Sequence, residues 1–220
     1  MVPPKEDTAA ERPQPRLYLV TPVAVDIASL KLDLLAALDA TEIMAVLLRL
    51  PEEDDRSLIN RIKALAPTVQ RAGAALILDG HPELVARGGA DGAHLRSVTE
   101  FEEAVDALKP DRIAGAGGLG TRHDAMIVAE RGADYVMFGE PNESGVRPQL
   151  SAIAERLAWW SEVFEAPCVG YAASLDEIEP LVKSGADFVA FGDFVFADPR
   201  GVASAVADVA SRLATIERVP

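Results

Sequence analysis

Eight times between Arg16 and Ile216, a short run of β-branched or aliphatic residues is followed by a stretch with helical periodicity. The strand-like runs are Leu17–Thr21, Ala45–Arg49, Ala75–Asp79, Gly92–Leu95, Arg112–Gly115, Tyr135–Gly139, Cys168–Tyr171 and Phe188–Gly192. The helical patterns fall near Ala28–Leu38, Asp54–Ala72, Pro82–Arg87, Thr99–Leu108, Arg122–Arg131, Gln149–Phe164, Leu175–Ser184 and Val202–Ile216. Strict alternation implies a parallel sheet, because parallel neighbours need a crossover long enough to hold a helix. Eight such units within residues 16–220 predict closure into a single (β/α)8 TIM barrel of the α/β class.

A weak internal repeat agrees. Gly-Ala-Asp occurs at Gly89–Asp91, Gly132–Asp134 and Gly185–Asp187, each time between a helix and a strand. The glycine can adopt the left-handed conformation that ends a helix, and the Asp can bond backbone where the chain turns. These turns belong to the bottom of a barrel, where such features serve stability.

Composition narrows the rest. Residues Met1–Pro15 carry four prolines among polar residues and read as a disordered arm, leaving one barrel domain over 16–220. Hydrophobic residues make up 49% of the chain but aromatics only 5%, so aliphatic side chains must fill the core. No apolar run reaches the roughly 18–20 residues of a membrane span, and no signal peptide is visible. Cys168 is the single cysteine, which excludes an internal disulfide and a cysteine metal cluster; a reducing cytoplasm is the natural setting. A net charge of −14 without a Lys/Arg cluster argues against nucleic-acid binding. A homo-oligomer is left open.

In such a barrel, chemistry lies where strands end and βα loops begin. Those positions hold Thr21, Arg49, Asp79, His94, the Gly115–Gly120 loop, Glu140, Gly170 and Asp193, with Ser144 and Arg147 in the long loop after the sixth strand. The expected partner is therefore a small molecule at the C-terminal face. The glycine loop Gly115-Ala116-Gly117-Gly118-Leu119-Gly120 matches a dinucleotide fingerprint, but that fingerprint normally heads its domain, and here four βα units precede it. His81 and His123 lack a partner pattern and are expected at the surface. Cys168 reads as a buried small hydrophobe. Of Trp159 and Trp160, one is expected in the core and one at an interface.

Three segments also carry a resemblance. Tyr18-Leu19-Val20-Thr21, Ala90-Asp91-Gly92-Ala93-His94-Leu95 and Gly132-Ala133-Asp134-Tyr135-Val136-Met137-Phe138-Gly139 are similar to segments of thiamine-phosphate synthases and of their sister group, the thiazole tautomerases. The resemblance spans nearly all of Arg16–Asp198. It implies a transferase of thiamine biosynthesis that joins a pyrimidine diphosphate to a thiazole phosphate with the help of Mg2+. It assigns Arg49 and Asp79 to catalysis, with Asp79 the available metal ligand. It assigns Thr21, His94, Glu140, Ser144, Arg147, Gly170 and Asp193 to substrate binding.

The sequence departs from the family at several of these points. Leu47 and Pro51 stand where the family has glutamine and lysine beside the arginine, Gly80 and Thr99 where it has metal-binding aspartates, and Arg96 where it has a glycine. Ala172 and Ala173 replace glycines of the phosphate loop, where their methyl groups would crowd a phosphate, and Asp193 replaces a small residue. Ser174 and Glu177 fit a capping box at the next helix, and Pro180 is tolerable there only near the helix start. Three readings follow: a divergent synthase, a barrel of the same ancestry that binds another, less anionic or cationic molecule without needing a metal, or a non-catalytic interaction protein.

Overall fold

The computed structural model describes residues 13–23, 26–142 and 144–216. The expected arm over 1–15 lies mostly outside these residues. Eight parallel strands close into a barrel in sequence order: β1 Arg16–Val20, β2 Ala45–Leu48, β3 Ala75–Asp79, β4 Gly92–Leu95, β5 Ile113–Ala116, β6 Tyr135–Phe138, β7 Cys168–Ala172 and β8 Phe188–Phe191. Helices cover the outside: α1 Ile27–Ala40, α2 Asp55–Arg71, α3 Pro82–Gly88, α4 Val98–Leu108, α5 Arg122–Glu130, α6 Leu150–Val163, α7 Ile178–Lys183 and α9 Val202–Ala214. Two pieces were not anticipated. A 3-10 turn, Leu175–Glu177, precedes α7, and a single helical turn, α8 Asp193–Phe196, follows β8 directly. Among the described residues, no helix is long and apolar enough to cross a membrane.

The alternation of each strand divides its side chains between two apolar layers. One set, including Leu19, Val46, Leu76, Ala114, Val136, Ala172 and Val189, packs outward against the helices. The other, including Tyr18, Val20, Leu47, Ile77, Tyr135, Met137, Val169, Tyr171 and Ala190, fills the barrel itself. Three tyrosines and a buried histidine, His94, thus enter a mostly aliphatic interior. Trp160 is fully buried, stacks on Phe164 at 4.1 Å and donates its indole N–H to Ala166 O at 2.7 Å. Trp159 is partly buried in the same cluster, and the Arg122 guanidinium lies 4.9 Å from its ring centre.

The Gly-Ala-Asp turns stitch strands in pairs. Gly89, Gly132 and Gly185 all have positive φ, 79°, 93° and 91°, as their helix-ending role demands. Each aspartate then reaches across to the preceding strand. Asp91 Oδ2 accepts the amide of Leu76 in β3 at 2.7 Å, Asp134 Oδ2 that of Ala114 in β5 at 2.8 Å, and Asp187 Oδ2 that of Cys168 in β7 at 2.9 Å. In return each aspartate's own amide donates to the carbonyl of that same residue. Strands β3/β4, β5/β6 and β7/β8 are joined in this way. Among the described residues, the remaining pair has the backbone bond alone, from Met44 N to Leu17 O.

Candidate functional site at the barrel mouth

Two connected groups of inward-pointing side chains run from the barrel interior to the upper ends of the strands. The first is a buried ladder. Tyr18 OH lies 2.8 Å from Tyr135 OH, and Tyr135 OH lies 3.0 Å from His94 Nδ1. The far ring nitrogen, His94 Nε2, lies 3.2 Å from Glu140 Oε2, but out of line for a hydrogen bond. Glu140 also accepts the amide of Gly118 through Oε1. Glycines make room for the ladder: a Cβ on Gly115 would sit 2.0 Å from the Tyr135 ring, and one on Gly117 would meet Glu140 and His94.

The ladder sets the protonation of its members. Burial pushes the Tyr18 and Tyr135 hydroxyls far above the ordinary tyrosine range, so both stay neutral. For His94, burial is the largest single influence and works downward. The charge and contact of Glu140, helped by Asp79, together outweigh it and leave the imidazole more basic than usual. With His94 neutral, Tyr18 can donate to Tyr135 and Tyr135 to Nδ1. Protonation at Nδ1 reverses that chain, because the ring then donates to Tyr135.

The second group is ionic. Arg96 donates through Nε to Asp79 Oδ1 at 2.8 Å and through Nη2 to Asp79 Oδ2 at 2.6 Å. Arg49 Nε lies 3.8 Å from the same carboxylate, and its Nη1 donates to Asp193 Oδ1 at 3.2 Å. Tyr171 OH donates to Asp193 Oδ2 at 3.4 Å. Burial first, and then the Asp193 charge, raises the Tyr171 hydroxyl above its ordinary value. Beyond these, Arg147 spans the turn after β7. It donates to Gly139 O at 3.0 Å, to Tyr171 O at 2.9 Å, and to both carboxylate oxygens of Glu177.

The structure brings Arg49, Asp79, Glu140 and Asp193 to the mouth and buries His94 beneath them. Others fall elsewhere. Thr21 is fully buried and its Oγ1 accepts the Arg49 amide at 3.1 Å, so it positions the strand end. Gly170 faces outward: a Cβ there would meet Leu157 and Leu181 of the helical layer. Alternation on β7 explains this, since Tyr171 is the inward residue. Ala172 likewise packs outward, so its methyl does not crowd the mouth as the sequence suggested. Ser144 is exposed in a turn closed by Asn142, whose Oδ1 accepts the Ser144 amide. The expected capping box at Ser174 does not form: its side chain makes no capping bond, and Glu177 takes the Ala173 amide instead, at 2.8 Å. Pro180 is the third residue of α7, within the first turn, as required. His123 is exposed and His81 half-buried, the latter at a left-handed φ of 52°.

The glycine loop does not offer a phosphate cradle. The Gly117 amide donates to Leu95 O, the Gly118 amide to Glu140, and α5 is capped reciprocally by Thr121 and Asp124. Nor do the residues suit Mg2+, which needs several free oxygen ligands in octahedral array. Both Asp79 oxygens are engaged by Arg96, whose positive charge opposes a metal ion, and no group of three or more potential ligands exists among the described residues. The sequence reading overlooked Arg96, Tyr18, Tyr135 and Glu177 as site residues. Arg96 carried a usable signal, since it lies two residues beyond His94 and so on the same face of the chain.

Comparison with known proteins places the barrel. The family model described as thiamine monophosphate synthase matches residues 17–195. A thiamine-phosphate synthase of Rhodospirillum centenum is 41% identical over 196 residues, covering 88% of this chain and 95% of that protein. One of Hyphomonas neptunium is 35% identical over 208 residues, covering 91% and 94%. Among solved structures, a thiamine phosphate pyrophosphorylase from Pyrococcus furiosus superposes with a TM-score of 0.74 at 21% identity, covering 90% of this chain and 95% of that one. A 3-hexulose-6-phosphate synthase from Salmonella typhimurium gives 0.69 at 14% identity, covering 91% and 99%, which is a likeness of fold. With a closed eight-stranded barrel and relatives matched over nearly their whole length, the chain belongs to the thiamine monophosphate synthase family.

Proposed function

We propose that this barrel binds a small molecule at its C-terminal face without transferring a diphosphate, and that the ligand is neutral or cationic, without phosphate groups. The observation that carries this reading is the Asp79–Arg96 pair. The carboxylate that would hold the metal is engaged at both oxygens by the Arg96 guanidinium. Arg49 is likewise engaged with Asp193 and lies near Asp79. Diphosphate displacement depends on stabilising the departing charge, and the three carboxylates around the mouth, Asp79, Glu140 and Asp193, outnumber its two arginines, Arg49 and Arg96. The barrel would need neither Mg2+ nor a macromolecular partner for binding. His94 and Tyr135 lie buried below the mouth, with Glu140 in contact with the His94 ring.

The test pairs two measurements. The full chain is incubated with the pyrimidine diphosphate, the thiazole phosphate and Mg2+, and pyrophosphate release is followed; none is expected. Thermal unfolding is then compared with and without pyrophosphate and Mg2+. A bound ligand at 100 times its Kd would add about 2.7 kcal/mol, and no shift is expected. Mg2+-dependent pyrophosphate release would overturn the proposal. It would instead support the second reading, retained synthase activity, which the name and 41% identity of the Rhodospirillum relative favour. That reading requires Arg96 to release Asp79 when substrate arrives.

A further inference from the structure

Helix α1 is apolar on two sides. It buries Leu30, Leu34 and Ala37 against the barrel. Its outer side runs through Ala28, Leu32, Leu35 and Asp39, at the spacing i, i+4, i+7, i+11 that shares one face of a helix. Leu32 is 67% exposed and Leu35 41%. A helix that is apolar all round belongs in an interior rather than against water.

The neighbouring helix α9 carries a line of the same spacing, Ala203, Ala207, Ala210 and Ala214. Its two charged residues lie on the other flank: Arg212 donates to Glu179 of α7 at 2.7 Å, and Asp208 pairs with Arg200 at 2.6 Å. The alanine line is thereby turned away from α7, to the side where α1 packs. A leucine ridge thus stands beside a flat alanine track. Asp39 ends the ridge, and Lys31 and Asp33 flank it half-buried. In a chain with 25% charged residues, a two-helix face with charge only at its edges marks an interaction surface.

The face is complementary to itself. A two-fold axis parallel to the helices and between them sets each α1 over the α9 of the other copy, so that each ridge meets a track. Each helix is about 20 Å long and the two lie about 10 Å apart, so pairing buries on the order of 1,000 Å2 in total, the lower end for a specific interface. Residues 1–12 include Lys5, Glu6, Asp7, Glu11 and Arg12 and are too polar to match this face.

We propose that the outer faces of α1 and α9 form the interface of a weak homodimer, with Leu32 and Leu35 of each copy seated on the alanine track of the other. The pairing is independent of what the barrel mouth binds.

The experiment is sedimentation of the full chain across concentration, with Leu35→Lys, Ala207→Lys and Val163→Lys variants. Lysine lowers the net negative charge, so added repulsion between copies does not account for a loss of pairing. Circular dichroism and thermal unfolding establish that each variant is folded. The wild type should pass from monomer to dimer between about 1 and 100 μM, as a small interface implies. Leu35→Lys and Ala207→Lys should each raise the dissociation constant at least about tenfold by burying an unpaired charge. Val163→Lys, an equally exposed site on α6, should leave it unchanged. Added salt should tighten the dimer, because it screens the repulsion between two copies of charge −14. A monomer at every concentration, whether residues 1–12, another protein or nothing covers the face, would overturn the proposal. So would a dimer indifferent to both substitutions, or one that loosens with salt. Loss with Leu35→Lys alone would overturn the leucine-on-alanine contact. If a lysine variant does not fold, Leu32→Gln and Ala203→Gln decide.

Discussion

Arg96 holds Asp79 by both carboxylate oxygens, at 2.8 and 2.6 Å, across the gap between β3 and β4. Asp79 is 8% exposed, whereas the Arg96 side chain is half exposed. Removing the arginine leaves a largely buried charge with only the more distant Arg49. Arg96→Ala should therefore destabilise the chain by about 1–3 kcal/mol, less than a fully buried pair would cost because solvent screens Arg96. Urea unfolding measures this, and an unchanged midpoint would show that the pair contributes nothing. Asp79→Asn should cost less, since no uncompensated anion remains.

The His94 ladder makes a pH prediction. A proton titration of the imidazole by NMR should give a value above the ordinary one of about 6.5. Glu140→Gln should bring it down, because burial then acts with only Asp79 to oppose it. The sign for stability follows. A folded-state value raised above the unfolded one gives stability fully present below the unfolded value and lost as pH rises through the folded value. The stability difference between wild type and Glu140→Gln should shrink over that interval. A downward shift in the wild type would contradict the Glu140 contact.

Gly115 is where the tyrosine ring enters the strand. An added methyl would lie 2.0 Å from the Tyr135 ring, far inside contact distance. Gly115→Ala should cost about 1–3 kcal/mol or more through overpacking. It should also displace His94, visible as a changed imidazole titration. Tyr135→Ala in the same chain removes the ring that clashes, so the two substitutions should be strongly non-additive in a thermal-denaturation cycle.

Asp187 offers a test remote from the mouth. Its carboxylate accepts the Cys168 amide, so Asp187→Ala should cost about 0.5–1.5 kcal/mol by losing one hydrogen bond. Asp187→Asn keeps an acceptor and should cost less. Neither should alter the His94 titration, and a change there would show that the barrel bottom and mouth are coupled.

Much of the fold was legible because it rests on local patterns. Alternation of strand and helix gave all eight strands, and the glycines of the three Gly-Ala-Asp turns took the left-handed conformation that their position required. The short helix α8 was not legible: Asp193-Phe194-Val195-Phe196 is one turn long and has no period to detect. In the site, Arg49, Asp79 and Glu140 were legible as strand-end positions. Gly170 was misplaced by one step of alternation, which reverses the face of a strand residue. Glu177 was read as a cap for Ser174, although its partners, Arg147 and the Ala173 amide, meet only through tertiary structure. The Tyr18–Tyr135 contact joins residues 117 positions apart, a separation that a local pattern does not report.

The pairwise stitching of strands has a consequence for how the chain can be cut. Three aspartate bonds lie within the pairs β3/β4, β5/β6 and β7/β8, whereas among the described residues the joints between pairs have ladder bonds and no such carboxylate. Because β1 also pairs with β8, the barrel is closed by a seam between quarters. A circularly permuted chain opened between two quarters, in the segment linking β4 to β5 or β6 to β7, keeps every stitch within one continuous stretch. One opened between β5 and β6 must recover the Ala114–Asp134 bond from opposite ends of the polypeptide.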